Sequence, residues 1–144
     1  ELRKKNFSVN AIEQDSRAVE YLQKYAGIKS YQYDFLKKKK NNLPKYNLIT
    51  LNKVLEHLEN PTKMLLNVKK NLTKNGFLYI ELPDAKAQVL GKNAGEFEVE
   101  HFHVFSKKSV LKLLYLSGFK AISLKSIIEP SKKYTIYAFA KKIN

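Results

Sequence analysis

Short apolar runs with strand character alternate with helical stripes along most of this chain, and that alternation limits the folds open to it. Residues 8–12 read as a short strand closing on the acids Glu13 and Asp15. Ser16, or Asp15 before it, is placed to cap a helix whose stripe is Val19, Leu22 and Tyr25 with Ala26, stopping at Gly27. Residues 28–33 form a second strand that ends at Asp34 and Phe35. The third strand, 46–51, is apolar enough to be buried on both faces. A helical turn over 52–58 is broken at Asn60 and Pro61. Thr62 then opens a helix with Met64, Leu65, Val68 and Leu72 on one side, which Asn75 and Gly76 stop. Residues 77–82 give a fourth strand closed by Pro83 and Asp84. After a polar connection over 84–100, Ser106 caps a helix with Val110, Leu113, Leu114, Leu116 and Ser117 inward, ending at Gly118. Two final strands, 121–128 and 135–140, flank a turn at Pro130 and Ser131. The pattern predicts an α/β fold: a mostly parallel sheet with an antiparallel carboxyl-terminal strand pair.

Composition narrows the class further. At 144 residues the chain has room for one ordinary domain, and 44% hydrophobic residues are enough for a core, which excludes general disorder. No apolar run approaches the roughly 20 residues that span a bilayer, and there is no apolar signal-peptide core. The absence of cysteine excludes a disulfide scaffold and thiolate zinc sites, and fits a cytoplasmic protein. Lys and Arg number 27 against 13 acids, a net charge of +14 that attracts polyanions. Yet only Arg3 and Arg17 are arginines, the residue suited to bidentate phosphate and base contacts, so a dedicated nucleic-acid binder is not favoured. The lysine run 37–40 reads as a solvated loop.

In open parallel sheets ligands bind beyond the carboxyl ends of the strands, so the residues at those ends are the candidate site. The first strand ends in Glu13-Gln14-Asp15, where a carboxylate can accept two hydrogen bonds from ribose hydroxyls. The second ends in Asp34-Phe35, a carboxylate for an adenine amino group beside an apolar wall. The third ends at Asn52-Lys53 and the fourth at Pro83-Asp84. Each acid has a plainer reading as a helix cap or turn residue. The array as a whole is more informative than any member.

Several segments resemble class I S-adenosylmethionine-dependent methyltransferases. Val9-Asn10-Ala11-Ile12-Glu13-Gln14-Asp15, with Ala18-Val19-Glu20-Tyr21 after it, is similar to their second-strand motif, and the likeness continues through Tyr33-Asp34-Phe35. It is strongest over residues 46–61, whose Val54-Leu55-Glu56-His57-Leu58 and Pro61 match the V-L-E-H-L-x-x-P fourth-strand signature of one large branch. Residues 75–83 resemble the fifth strand. Glu100-His101-Phe102-His103-Val104-Phe105-Ser106 and Leu116-Ser117-Gly118-Phe119 resemble the late part of that branch, which includes sugar methyltransferases. The family's first strand and glycine-rich D-x-G-x-G-x-G turn are missing, and residues 1–7 resemble the last turns of the helix that follows that turn. The resemblance thus implies a Rossmann-like sheet without its central strand, in a single methyltransferase-like domain over 1–144 that is truncated at its amino terminus. Two neighbouring strands should then carry open edges, and cofactor binding by this chain should be weak.

The resemblance implies S-adenosylmethionine as cofactor, with Glu13 on the ribose, Gln14 flanking the adenine, Asp34 and Phe35 at its edge and Asn52 beside the methionine moiety. A small-molecule acceptor, such as a sugar or nucleotide-sugar, is implied with it. For a general base the candidates are His101, which follows Glu100, and His57, beside Glu56 in the turn after Asn52, since imidazole titrates near neutrality. His57 also has a structural reading as a helix-capping residue. His101 and His103 would share one face of a strand, with Glu98 and Glu100 on the other, so a metal site built from them and Glu96, Glu98 or Glu100 is not expected. A degenerate, catalytically inactive domain serving as a basic binding module for nucleic acid or a protein partner is the alternative. An RNA methyltransferase is a third reading, and the lack of an N-P-P-Y motif argues against base amino-group methylation.

Overall fold

The computed structural model describes residues 2–37, 43–91 and 94–143. Of the lysine run 37–40, only Lys37 is among them. The chain divides into two compact units, Glu1–Leu43 and Pro44–Asn144.

The first unit is a β–α–β element: β1 (Asn10–Glu13), α1 (Ser16–Ala26) and β2 (Lys29–Gln32). Before it, Arg3–Lys5 forms one tight helical turn that closes on Asn6 in the left-handed conformation. Asp15 rather than Ser16 is the α1 cap, its side chain accepting from the Arg17 amide, and Ser16 is the first helical residue. Gly27 ends the helix at φ 59°, where its amide reaches the Leu22 carbonyl and any Cβ would be strained. β1 and β2 pair in parallel from Asn10↔Lys29 to Glu13↔Gln32, so their carboxyl ends lie side by side. This unit has a thin core. No α1 residue is buried, while Ser30 and Phe35 are.

The second unit holds a four-stranded sheet in the order β3-β4-β6-β5, formed by β3 (Tyr46–Asn52), β4 (Leu72–Pro83), β5 (Phe119–Ile128) and β6 (Tyr134–Lys142). β3 and β4 are parallel, and β6 runs antiparallel to both β4 and β5. The mixed sheet follows the expected order of parallel pairing first and an antiparallel pair last. Its core is built by interdigitation of large and small residues. Leu78, Ile80 and Leu82 alternate along one face of β4 and oppose Ala140, Ala138 and Ile136 of β6, all six fully buried. α2 (Pro61–Asn71) adds Met64, Leu65 and Val68, and α3 (Lys107–Leu116) adds Val110, Leu113 and Leu114. No helix among the described residues is long and apolar enough to cross a membrane.

Three local expectations are revised. α2 starts at Pro61 behind an Asn60 cap and ends at Asn71, well before Gly76. The residues expected to finish the helix instead open β4: the step from Tyr46 to Leu48 in β3 opposes the step from Leu72 to Phe77, a bulge that absorbs the extra residues. A Cβ on Gly76 would come within 3.0 Å of the Leu72 Cβ, which is why glycine fits there. At the end of α3, Ser117 is buried but Leu116 is exposed, because the chain leaves helical geometry toward Gly118 at φ 75°. The extended strand considered for residues 98–103 does not form. A tight helical turn, Gly95–Phe97, and a further turn break it up, leaving only a parallel bridge between Asp84 and Phe105.

β1 and β3 each have one strand partner among the described residues, so each sheet ends in a parallel strand with one edge bare of strands.

Candidate functional site

The parallel register of β1 and β2 brings two sequence-predicted residues to one hollow. Because Glu13 sits opposite Gln32, the residues just beyond, Gln14 and Asp15 on one side and Tyr33 and Asp34 on the other, face across the strand ends. Together with Gln32 and Lys37 they line a cavity of about 510 Å³. That lies within the roughly 300–1,000 Å³ of small-molecule sites.

Glu13 folds over the turn after β1: Oε1 accepts from the amides of Gln14 at 2.7 Å and Asp15 at 3.4 Å. Oε2 takes no hydrogen bond among the described residues. The Glu13 carbonyl accepts from the Tyr33 amide at 2.9 Å, and the Gln32 side-chain amide donates to the Gln14 carbonyl at 3.3 Å, which ties the two strand ends together. Asp34 Oδ1 accepts from the Leu36 amide at 2.8 Å, an Asx turn that holds the carboxylate at the rim. Its Oδ2 lies 3.7 Å from Lys37 Nζ, too long for a hydrogen bond and close enough for attraction. Phe35 is buried behind this rim, edge-on to Tyr33 at 5.1 Å between ring centroids. Asp15 is committed elsewhere. The Arg17 guanidinium holds its carboxyl at about 2, well below the usual carboxylate range, chiefly through their side-chain hydrogen bonds.

In the second unit Asn52 is exposed at the carboxyl end of β3, opposite Glu81. Lys53 follows at φ 54°, a left-handed conformation uncommon for a lysine. Its amide donates to the Glu81 carbonyl at 3.1 Å, and its Nζ reaches Thr135 Oγ1 and Glu129 Oε1 at 2.5 and 3.2 Å. Glu129 is accordingly held below the usual carboxylate range, by the Thr135 hydroxyl first and then by Lys53 and Ser131.

The two candidate bases come together. A tight turn, Leu55–His57, carries His57, and the loop before α3 carries His101; their rings meet edge to face with centroids 4.8 Å apart. His57 Nδ1 lies 3.2 Å from the Glu100 carbonyl and His101 Nδ1 2.9 Å from the Glu96 carbonyl. His103 stands apart from them, packed 5.7 Å from Phe105 with its Nε2 buried. Glu96 Oε1 accepts from the Tyr134 amide at 2.5 Å, which anchors the loop to β6. The sequence reading did not join Glu56 and His57 to His101, although both stood within singled-out motifs. Only folding brings those segments together.

A family model described as a methyltransferase domain matches residues 1–124. The chain belongs to this methyltransferase domain family. Among curated proteins no significant sequence match is found. Solved methyltransferases share the fold. The 1,6-didemethyltoxoflavin-N1-methyltransferase of Burkholderia thailandensis, crystallised with 1,6-didemethyltoxoflavin and S-adenosylhomocysteine, is 11% identical with a TM-score of 0.73. There the match covers 99% of this chain and 64% of that one. A methyltransferase of Methanosarcina mazei is 14% identical over 99% of this chain and 85% of its own, with a TM-score of 0.72. An N-methyltransferase of Bradyrhizobium japonicum, bound to S-adenosylhomocysteine, is 18% identical over 92% of this chain and 65% of its own, with a TM-score of 0.62. This methyltransferase domain thus spans somewhat less than two thirds of the Burkholderia enzyme. Its β1–β2 hollow lies at the carboxyl ends of parallel strands, where open α/β sheets take their ligands.

Proposed function

We propose that this domain binds S-adenosylmethionine and transfers its methyl group to a small-molecule acceptor, of the sugar or nucleotide-sugar kind that the sequence resemblance implies. The hollow beyond β1 and β2 carries the reading, since it presents Gln14 and Asp34 together. The residues fit the adenosyl group. Glu13 Oε2 accepts from the ribose hydroxyls, Asp34 accepts from the adenine amino group with Gln14 alongside, and Phe35 backs the adenine with an apolar wall. The sequence resemblance assigns Asn52, in the second unit, to the methionine moiety. The family match runs through both units and supports reading 1–144 as one methyltransferase-like domain.

The cofactor supplies a methyl carbon on a sulfonium. The protein's part is to align the acceptor with it, exclude water and remove a proton. His101 serves as base, with His57 beside it. A carbonyl oxygen only accepts, so each Nδ1 next to one carries the hydrogen, and Nε2 keeps the lone pair. Exposed Val99 and Phe102 flank His101 and offer apolar surface to an acceptor.

Saturation-transfer NMR with S-adenosylhomocysteine and with adenosine tests the reading even where binding is weak. Transfer to the adenine and ribose protons, lost in Asp34→Ala, is expected. No transfer, or transfer unchanged in both Asp34→Ala and Glu13→Ala, would contradict it. The net charge of +14 favours a second reading, a basic binding module. Salt-sensitive binding to random oligonucleotides tighter than about 1 µM at physiological salt, beyond ordinary nonspecific affinity, would support that reading instead.

A further inference from the structure

We propose that Glu56, His57 and His101 form a site for one divalent transition-metal ion of the zinc class. One ligand-capable atom from each lies within 4.8 Å of the others. Two imidazoles and a carboxylate are donors that borderline divalent ions accept, and three protein ligands leave a coordination position open.

Glu56 supplies an independent observation. The residue is 1% exposed, and its Oε2 is buried without a hydrogen-bond partner. A carboxylate oxygen stripped of water and left unpaired is costly. A ring nitrogen of each of two imidazoles lies within 4.8 Å of a Glu56 carboxylate oxygen. A shared dication satisfies the carboxylate and both rings at once.

The rings are already oriented for this. Each Nδ1 donates to a main-chain carbonyl, at 3.2 Å for His57 and 2.9 Å for His101, so Nε2 is the nitrogen left for an ion. Such bonds to the far ring nitrogen are what fix tautomer and orientation in metal sites. The main chain clamps the two segments as well, since the Glu56 carbonyl accepts from the amides of Phe102 at 2.8 Å and His103 at 3.3 Å. His57 is exposed and His101 half-buried, so an ion enters from solvent while Glu56 closes the inner side.

The site draws on the same His57 and His101 Nε2 atoms that the methyl-transfer reading gives to the base, and a bound ion would take those lone pairs. Its test therefore reads metal uptake by the resting chain rather than turnover. The full chain, free of any histidine tag, is titrated with Co²⁺ and followed by visible absorption, then challenged with Zn²⁺. One equivalent of Co²⁺ should develop ligand-field bands that Zn²⁺ abolishes. His57→Ala and His101→Ala should each weaken uptake about tenfold or more, as even outer partners of metal ligands do. Glu56→Gln should do the same. If that buried substitution unfolds the protein by circular dichroism, the exposed His57→Ala variant carries the test. No saturable uptake by the wild type, or an affinity unchanged from wild type in both histidine variants, would overturn the assignment.

Discussion

The main-chain carbonyl of Glu56 accepts a hydrogen bond from the amide of Phe102 at 2.8 Å, joining the turn after β3 to the loop before α3. The bond sets the spacing at which His57 and His101 meet. It depends on the Phe102 backbone, since that side chain is 60% exposed. Phe102→Ala keeps the donor and should change stability by no more than about 0.5 kcal/mol. Phe102→Pro removes it and should cost about 1–3 kcal/mol. Urea denaturation of the pair separates the two effects, and equal losses would show that the amide is not the tether.

Asp15 and Arg17 make the first unit sensitive to acid. The folded pKa of Asp15 is held at about 2, against an ordinary 3.8. Because it is depressed, the stabilisation is fully present above pH 4 and is lost as pH falls from there toward 2. Both partners are solvated, so salt should weaken the effect. A carbon-13 carboxyl titration should find Asp15 titrating near pH 2 and moving back toward its ordinary value in Arg17→Ala. An unchanged titration in that variant would assign the shift to the helix end alone.

Ile80 lies fully buried in β4, between Leu51 of β3 and Ala138 of β6. Its neighbour on β6 is too small to fill a void, so Ile80→Ala should cost about 2–5 kcal/mol, and Ile80→Val about 1 kcal/mol. Chemical denaturation measures both. A loss below about 1 kcal/mol for Ile80→Ala would mean that the sheet collapses around the gap.

Much of this architecture was legible because local signals and burial agree. Gly27 and Gly118 stop helices at positive φ, Ser106 forms a capping box with Ser109, and the stripes Met64–Leu65–Val68 and Val110–Leu113–Leu114 face the core. The misplaced boundary lies at residues 72–76. There helical periodicity and a glycine stop argued for a longer α2, and pairing of Leu72 with Tyr46 pulled the chain into β4 instead. Strand-end logic placed Gln14 and Asp34 at one hollow because parallel register is a local property of the β–α–β element. The Glu56–His57–His101 grouping was not legible. It depends on the Gly95–Phe97 turn and on main-chain bonds between distant segments, and neither leaves a periodic trace.

The central claim is that the carboxyl ends of β1 and β2 receive an adenosyl group. Amide chemical-shift mapping of the isotope-labelled chain during titration with S-adenosylhomocysteine tests it most directly. The expected result is saturable movement of the Gln14, Tyr33 and Asp34 resonances, abolished in Asp34→Ala. Saturable shifts elsewhere that leave those three still, or no shifts at saturating ligand, would contradict it.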